Sequence, residues 1–230
     1  MEKPSESGKQ CLISVSDNMA AQLASRSLAL TTYKTLRRIG PADDLKKFED
    51  WVLGLGKGDN KNGLMALTEL KEQYDKGLQT KDSIYQTLIM FDTAAGEPIA
   101  TVTVYPDNET LWKYLPEDIK SATDAYTGFL QVHRDRRGEG FSEIMLDLMD
   151  SYLQQQAQKV GKPLQTLSCT WHPAVIHMYE KRGGYKFAGT VEVPEWRVTE
   201  NLYFRTHTIE GLELRPGVPG RKPEGPPEVM

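Results

Sequence analysis

Between Tyr126 and Lys181 the hydrophobic pattern changes period three times, and this succession constrains the fold more than any single residue. YTGFLQV (Tyr126 to Val132) is dense in β-formers, whereas from Ser142 to about Val160 the apolar residues Ile144, Met145, Leu148 and Tyr152 recur at helical steps. LQTLSCTW returns to a strand. Pro173 then suits the first position of a helix that runs to Lys181 and is closed by Gly183-Gly184. Gly161 and Pro163 end the long helix before it. Two strands joined through a helix must run parallel, so this stretch demands at least one parallel pair.

The rest of the chain adds antiparallel elements. CLISVS reads as a short strand, and Asp17 suits the N-cap of a helix from Asn18 to about Arg38, with Leu23, Leu28, Leu30, Tyr33 and Leu36 as apolar residues and Gly40-Pro41 as its stop. A second helix fits Asp43 to Leu55, where Leu45, Phe48, Trp51, Val52 and Leu55 recur at three- and four-residue steps. Gly54 to Gly63 lacks the residue order of a phosphate-binding P-loop and reads as a connection, followed by a helical run from Leu64 to Tyr74. YQTLIMFD and PIATVTVY flank the turn residues AAGE and predict a hairpin. A short helix is expected within LWKYLPEDIKSA, and YKFAGTVEV and NLYFRTHTI supply the last two strands.

The expectation is an α/β fold: a mixed sheet of six to seven strands flanked by about four or five helices. One domain from residue 11 to 210 would lie between a polar segment, 1–10, and a Pro/Gly-rich tail, 211–230.

Composition narrows the function classes. A net charge of −4 opposes general nucleic-acid binding, which depends on a basic surface. No stretch approaches the roughly 20 apolar residues of a membrane span. MEKPSESGKQ lacks the apolar run of a secretory signal, so a cytoplasmic location is expected. Cys11 and Cys169 are too few for a disulfide framework, and Cys169, inside an apolar strand, reads as core packing. His133, His172 and His177 do not have the spacing of a metal set, and none is expected.

The stretch from Val132 to Ser142, VHRDRRGEGFS, carries the chemistry. A strand ends, glycines permit close backbone approach, and a long helix begins with its first amides unpaired; together these suit a polyphosphate. Arg134, Arg136 and Arg137 add positive potential. The same residues also fit a plain tight turn with a solvated basic face. The arrangement resembles the pyrophosphate-binding motif of the GNAT superfamily of acyl-CoA-dependent N-acyltransferases, [QR]-x-x-G-x-[GA], with Arg137, Gly140 and Ser142 at its defined positions. Ser142 replaces the usual Gly or Ala; it is small, and its hydroxyl is a candidate cap for the helix. The resemblance covers about Tyr126 to Gly189, and the order of elements matches from residue 12 to about 209.

The resemblance implies an N-acetyltransferase that passes an acetyl group from acetyl-CoA, or another acyl-CoA, directly to the amine of a small molecule or peptide. Backbone groups of Leu130, Gln131 and Val132 would take the pantetheine arm, and the amides of Arg137, Gly138, Glu139, Gly140, Phe141 and Ser142 the pyrophosphate. Tyr179 falls where the family often has a tyrosine that protonates the departing thiolate, which a phenol of pKa ~10 can do at neutral pH. A tyrosine packed on a helix face is the alternative. His172 stands where the family often has a cofactor-contacting Asn, and the usual Gly-aromatic ending is stretched to Gly183-Gly184-Tyr185. For a general base Asp92, Glu97, Asp124 and His133 are candidates, each also compatible with a turn or surface role. A non-catalytic acyl-CoA-binding module on the same fold is the alternative function, and an interaction scaffold a third.

Overall fold

The computed structural model describes residues 17–54, 67–72, 74–75, 84–106 and 109–209. CLISVS, most of the Gly54–Gly63 connection, the first residues of the run from Leu64, and both tails lie outside the described residues.

The largest departure from the expected elements comes first. Instead of one helix from Asn18 to Arg38 there are three elements: α1 (Asp17–Ser25), β1 (Leu28–Thr32) and α2 (Tyr33–Ile39). Ser27 breaks the helix at φ 54°, and LALTT then alternates, with Leu28, Leu30 and Thr32 buried and two β-branched threonines favouring the extended state. Thr32 ends the strand and caps α2, its hydroxyl accepting the Thr35 amide at 3.1 Å. Helix α3 (Ala42–Gly54) follows, and residues 67–72 form α4.

Strands β2 (Gln86–Asp92) and β3 (Glu97–Tyr105) flank the expected turn. Pro116 then divides the region expected to hold one short helix into α5 (Glu109–Trp112) and α6 (Glu117–Ala122). The order continues with β4 (Ala125–Val132), a 3-10 turn (Arg134–Arg136), α7 (Phe141–Val160), β5 (Leu164–Thr170), α8 (Pro173–Arg182), β6 (Tyr185–Val193) and β7 (Val198–His207).

Among the described residues, seven strands form one mixed sheet in the order β1-β2-β3-β4-β5-β7-β6. The parallel pair that the sequence period requires is β4 with β5, in register at Ala125–Thr166, Tyr126–Leu167 and Thr127–Ser168. β1 with β2, β5 with β7, and β6 with β7 are antiparallel. The expected α/β mixed sheet is therefore present, with more and shorter helices than the four or five expected.

The described residues fall into two compact units: those up to Thr103 with Phe129–Tyr152, and Val104–Gly128 with Leu153 onward. The first is built on Tyr33, Leu36, Phe48, Val52, Leu67, Leu70, Ile89 and Phe91, with Trp51, Tyr74 and Phe129 packed on its margin. Glu49 gathers the polar rim of this core, accepting the Tyr33 hydroxyl at 2.8 Å and pairing with Lys71 at 3.1 Å. The second contains an aromatic group on α8, β6 and β7, in which Tyr179 stacks on Tyr185 at 4.5 Å and leans on Tyr203 at 5.3 Å.

Candidate functional site

Helix α7 opens at Phe141, one residue earlier than its period suggests, so Gly140 is the N-cap and its carbonyl accepts the Ile144 amide at 3.2 Å. Ser142 lies within the first turn and its hydroxyl is not the cap. The first amides of a helix have no carbonyl four residues behind them. Among the described residues, the amides from Gly138 to Glu143 find no other acceptor. Gly138 and Gly140 have φ of 86° and 79°, and a Cβ on either would meet nothing within 4 Å. These glycines answer to backbone conformation, and the space in front of them is open.

The loop is fixed from below. Arg136 grips the Glu139 carboxylate with Nε at 2.9 Å and Nη2 at 3.2 Å, and reaches Asp92 with Nη1 at 2.8 Å. Its guanidinium lies 5.0 Å from the ring centre of buried Phe141, and Arg26 lies 4.6 Å from the same ring. Arg26 also donates to the Glu139 carbonyl at 2.9 Å. Two carboxylates thus compensate Arg136, leaving the exposed Arg134 and Arg137 as the charges of the loop with no ion pair among the described residues; there Arg137 Nε makes a long contact of 3.4 Å to the Val132 carbonyl.

The strand leading in is irregular. Phe129 has φ 53°, a left-handed conformation that a non-glycine residue adopts at a cost of roughly 1–2 kcal/mol. Ala125 to Thr127 are buried, while Leu130, Gln131 and Val132, beyond the kink, are half-buried. Such an irregularity re-aims the backbone groups that follow it. Nothing in YTGFLQV announces it, because the side chain that holds the kink packs on a core assembled from distant segments.

The remaining candidates have defined surroundings. His172 caps α8: its Nδ1 accepts the Ala174 amide at 3.3 Å, its carbonyl the amides of Val175 and Ile176, and its own amide donates to Thr170. Tyr179 is buried in the aromatic group of the second unit.

Of the candidate bases, Asp92 accepts the amides of Ala94 and Ala95 besides Arg136, and these bonds, led by that from Ala95, hold its carboxyl below the usual range. A carboxylate so occupied is a poor base. Asp124 is spanned by Lys162 at 2.6 Å and the Gln165 amide at 2.8 Å. Glu97 pairs on the surface with Lys47. His133 caps the 3-10 turn and stacks on Trp51. No three His, Cys, Asp or Glu side chains among the described residues are grouped so as to hold a metal ion.

Sequence reasoning missed Arg26 and Glu200. Glu200, on β7, is 4% exposed, and burial raises its pKa above the usual carboxylate range. Its signal was the two-residue period, which puts it on one face with Val198, Leu202 and Phe204. Cys169 is more than packing: its sulfur lies 3.1 Å from the Tyr126 hydroxyl.

No family model and no curated protein sequence matches the chain. Solved structures do. An aminoglycoside 6'-N-acetyltransferase complexed with coenzyme A aligns with TM-score 0.51 at 14% identity, over 82% of this chain and 99% of its own. An aminoglycoside 6'-acetyltransferase type Ii gives 0.50 at 16% identity, over 82% and 99%. A Desulfovibrio desulfuricans protein assigned to the GNAT family gives 0.50 at 14%, over 77% and 97%. The chain has the GNAT fold. The low identities leave the chemistry to be argued from this chain's residues. No helix among the described residues is long and apolar enough to cross a membrane.

Proposed function

We propose that the chain is an acyl-CoA-dependent N-acetyltransferase that transfers an acetyl group from acetyl-CoA to an amine by direct attack on the thioester. The observation that carries this reading is the row of amides from Gly138 to Glu143 without acceptors among the described residues, opening onto free space at two left-handed glycines. Such a row, at the positive end of a 20-residue helix, suits a pyrophosphate. Arg134 and Arg137 would supply the balancing charge, and the backbone of Leu130, Gln131 and Val132 would take the pantetheine arm. In this reading the strand groups also polarise the thioester carbonyl, which aids attack by a neutral amine. Tyr179 as proton donor to the thiolate, and His172 as a cofactor contact, rest on the family resemblance.

The test is a thermal-shift titration with acetyl-CoA followed by turnover on an amine panel. Stabilisation is expected to grow with ligand concentration, because a ligand that binds only the folded state must raise its stability. Gly140→Asp, which sets a carboxylate against the pyrophosphate, is expected to abolish the shift, and Arg137→Ala to weaken it about tenfold, the loss of one charge-assisted contact. Wild-type protein that shows no shift at millimolar acetyl-CoA overturns the reading. Binding without turnover of any amine would instead favour the non-catalytic acyl-CoA module.

A further inference from the structure

The second unit contains a polar cluster that none of the proposed acetyl-CoA contacts uses. Glu200 on β7 is 4% exposed; its side chain is hydrogen-bonded to Cys169 on β5, and its Oε2 is buried with no hydrogen-bond partner among the described residues. Cys169 Sγ lies 3.1 Å from the hydroxyl of Tyr126 on β4. The Tyr126 ring in turn lies 5.8 Å from that of Tyr105 and meets that of Trp112 edge-on at 6.2 Å. Gly128 completes the arrangement: a Cβ there would come within 2.8 Å of the Tyr126 ring, so glycine lets the ring lie across the strand.

A buried carboxylate oxygen without a donor is costly, and such a group calls for a donor that a water, an ion or a ligand can supply. Here the donor must suit two neighbours at once. The carboxylate calls for an N–H group with positive charge, and the aromatic cluster that begins at Tyr126 has π systems that attract the same charge. A neutral donor would satisfy only the first, and an anion neither.

We propose that Glu200, with Cys169, Tyr126, Tyr105 and Trp112, forms a binding site for an ammonium group borne on an organic molecule. Identifying that molecule as the acetyl acceptor rests on the reading of the chain as an N-acetyltransferase; the site's preference for a cation does not. Tyr114 contributes at one remove: its hydroxyl is hydrogen-bonded to Glu195 in the β6–β7 turn, which fastens the α5–α6 segment that carries Trp112.

The experiment uses the full chain, hexylammonium and spermidine as probes, and hexanol as the uncharged control, with binding read by calorimetry. Wild-type protein is expected to bind the two amines and not hexanol. Glu200→Gln, which keeps shape and removes charge, is expected to weaken amine binding at least 30-fold while the acetyl-CoA thermal shift stays within twofold of wild type. Trp112→Leu is expected to weaken it about fivefold, with Glu200→Asp retaining part of the affinity. Equal binding of amines and hexanol, or of amines to wild type and Glu200→Gln, overturns the site. Amine binding that depends on Glu200 in a protein with no affinity for acetyl-CoA would uphold the site and sink the acetyltransferase reading, so the two failures are told apart.

Discussion

Phe48 has no exposed surface and lies between Tyr33 and Trp51, with ring centres at 5.7 and 6.0 Å. Phe48→Ala is expected to cost about 3–5 kcal/mol, read from urea unfolding, because the cavity left at a fully buried junction between α2 and α3 closes only in part. Residues of this kind were legible: apolar spacing alone marked Leu36, Phe48 and Val52 as core. Polar residues whose role depends on a distant partner were not. His207 is an example: its Nε2 meets Thr166 Oγ1 at 3.0 Å on the neighbouring strand, and burial pushes its pKa down to about 3. The folded chain therefore keeps this imidazole neutral where the unfolded chain, with a value of ~6.5, binds a proton. The stability this contributes is whole above pH ~6.5 and is lost as pH falls toward 3, by up to about 1.4 kcal/mol per unit. His207→Gln is expected to flatten that slope between pH 6.5 and 4.5, as measured by unfolding midpoints. Asp92 has the same sign for a different reason: its bonds to Ala95, Arg136 and Ala94 favour the charged form, so the penalty of Asp92→Asn, about 1–2 kcal/mol at pH 7, should begin to shrink near the ordinary carboxylate value of ~3.9 and disappear as pH falls through the lowered value of the folded protein.

Among the elements, α7 and the loop before it show what a local pattern can and cannot reveal. The motif from Arg137 to Ser142 was readable because glycine spacing, a preceding strand and a following helix all lie within some 30 residues. The bracing of that loop was hidden, because Arg26 and Asp92 reach Glu139 and Arg136 from segments about 113 and 44 residues away in sequence. Gly140→Ala isolates the backbone contribution. No neighbour would touch the new methyl group, so the expected cost of about 1–2 kcal/mol comes from φ 79° alone, and a differential scan would show it even without ligand. Arg26→Ala is expected to weaken acetyl-CoA several-fold although the side chain is turned to Phe141 and the Glu139 carbonyl, with Arg26→Lys failing to restore binding because an ammonium lacks the planar face that covers the ring. The α1–β1–α2 region misled for a related reason. Leu30, Tyr33 and Leu36 recur at helical three-residue steps while Leu28, Leu30 and Thr32 alternate, and pairing with β2 from Leu28–Asp92 to Thr32–Leu88 decides between the two periods.

For the molecule as a whole, the period changes from Tyr126 onward were enough to require a mixed sheet with one parallel pair, and β4 with β5 is that pair. The strand order could not be read in the same way, since nothing in NLYFRTHTI says that it enters beside β5 and leaves YKFAGTVEV outermost. Long-range pairing is chosen by the sum of many side-chain fits, and single segments do not encode it. The outermost position of that strand has a consequence for how copies of the chain behave when concentrated. β6 bears exposed Lys186, Thr190 and Glu192, and its ladder slips between Phe187 and Gly189, where φ is 130°. A twisted, charged border offers a poor template for another strand to add to. Gly189→Val would straighten it, and the expected result is turbidity and rising light scattering in stored solutions that stay clear for the parent chain.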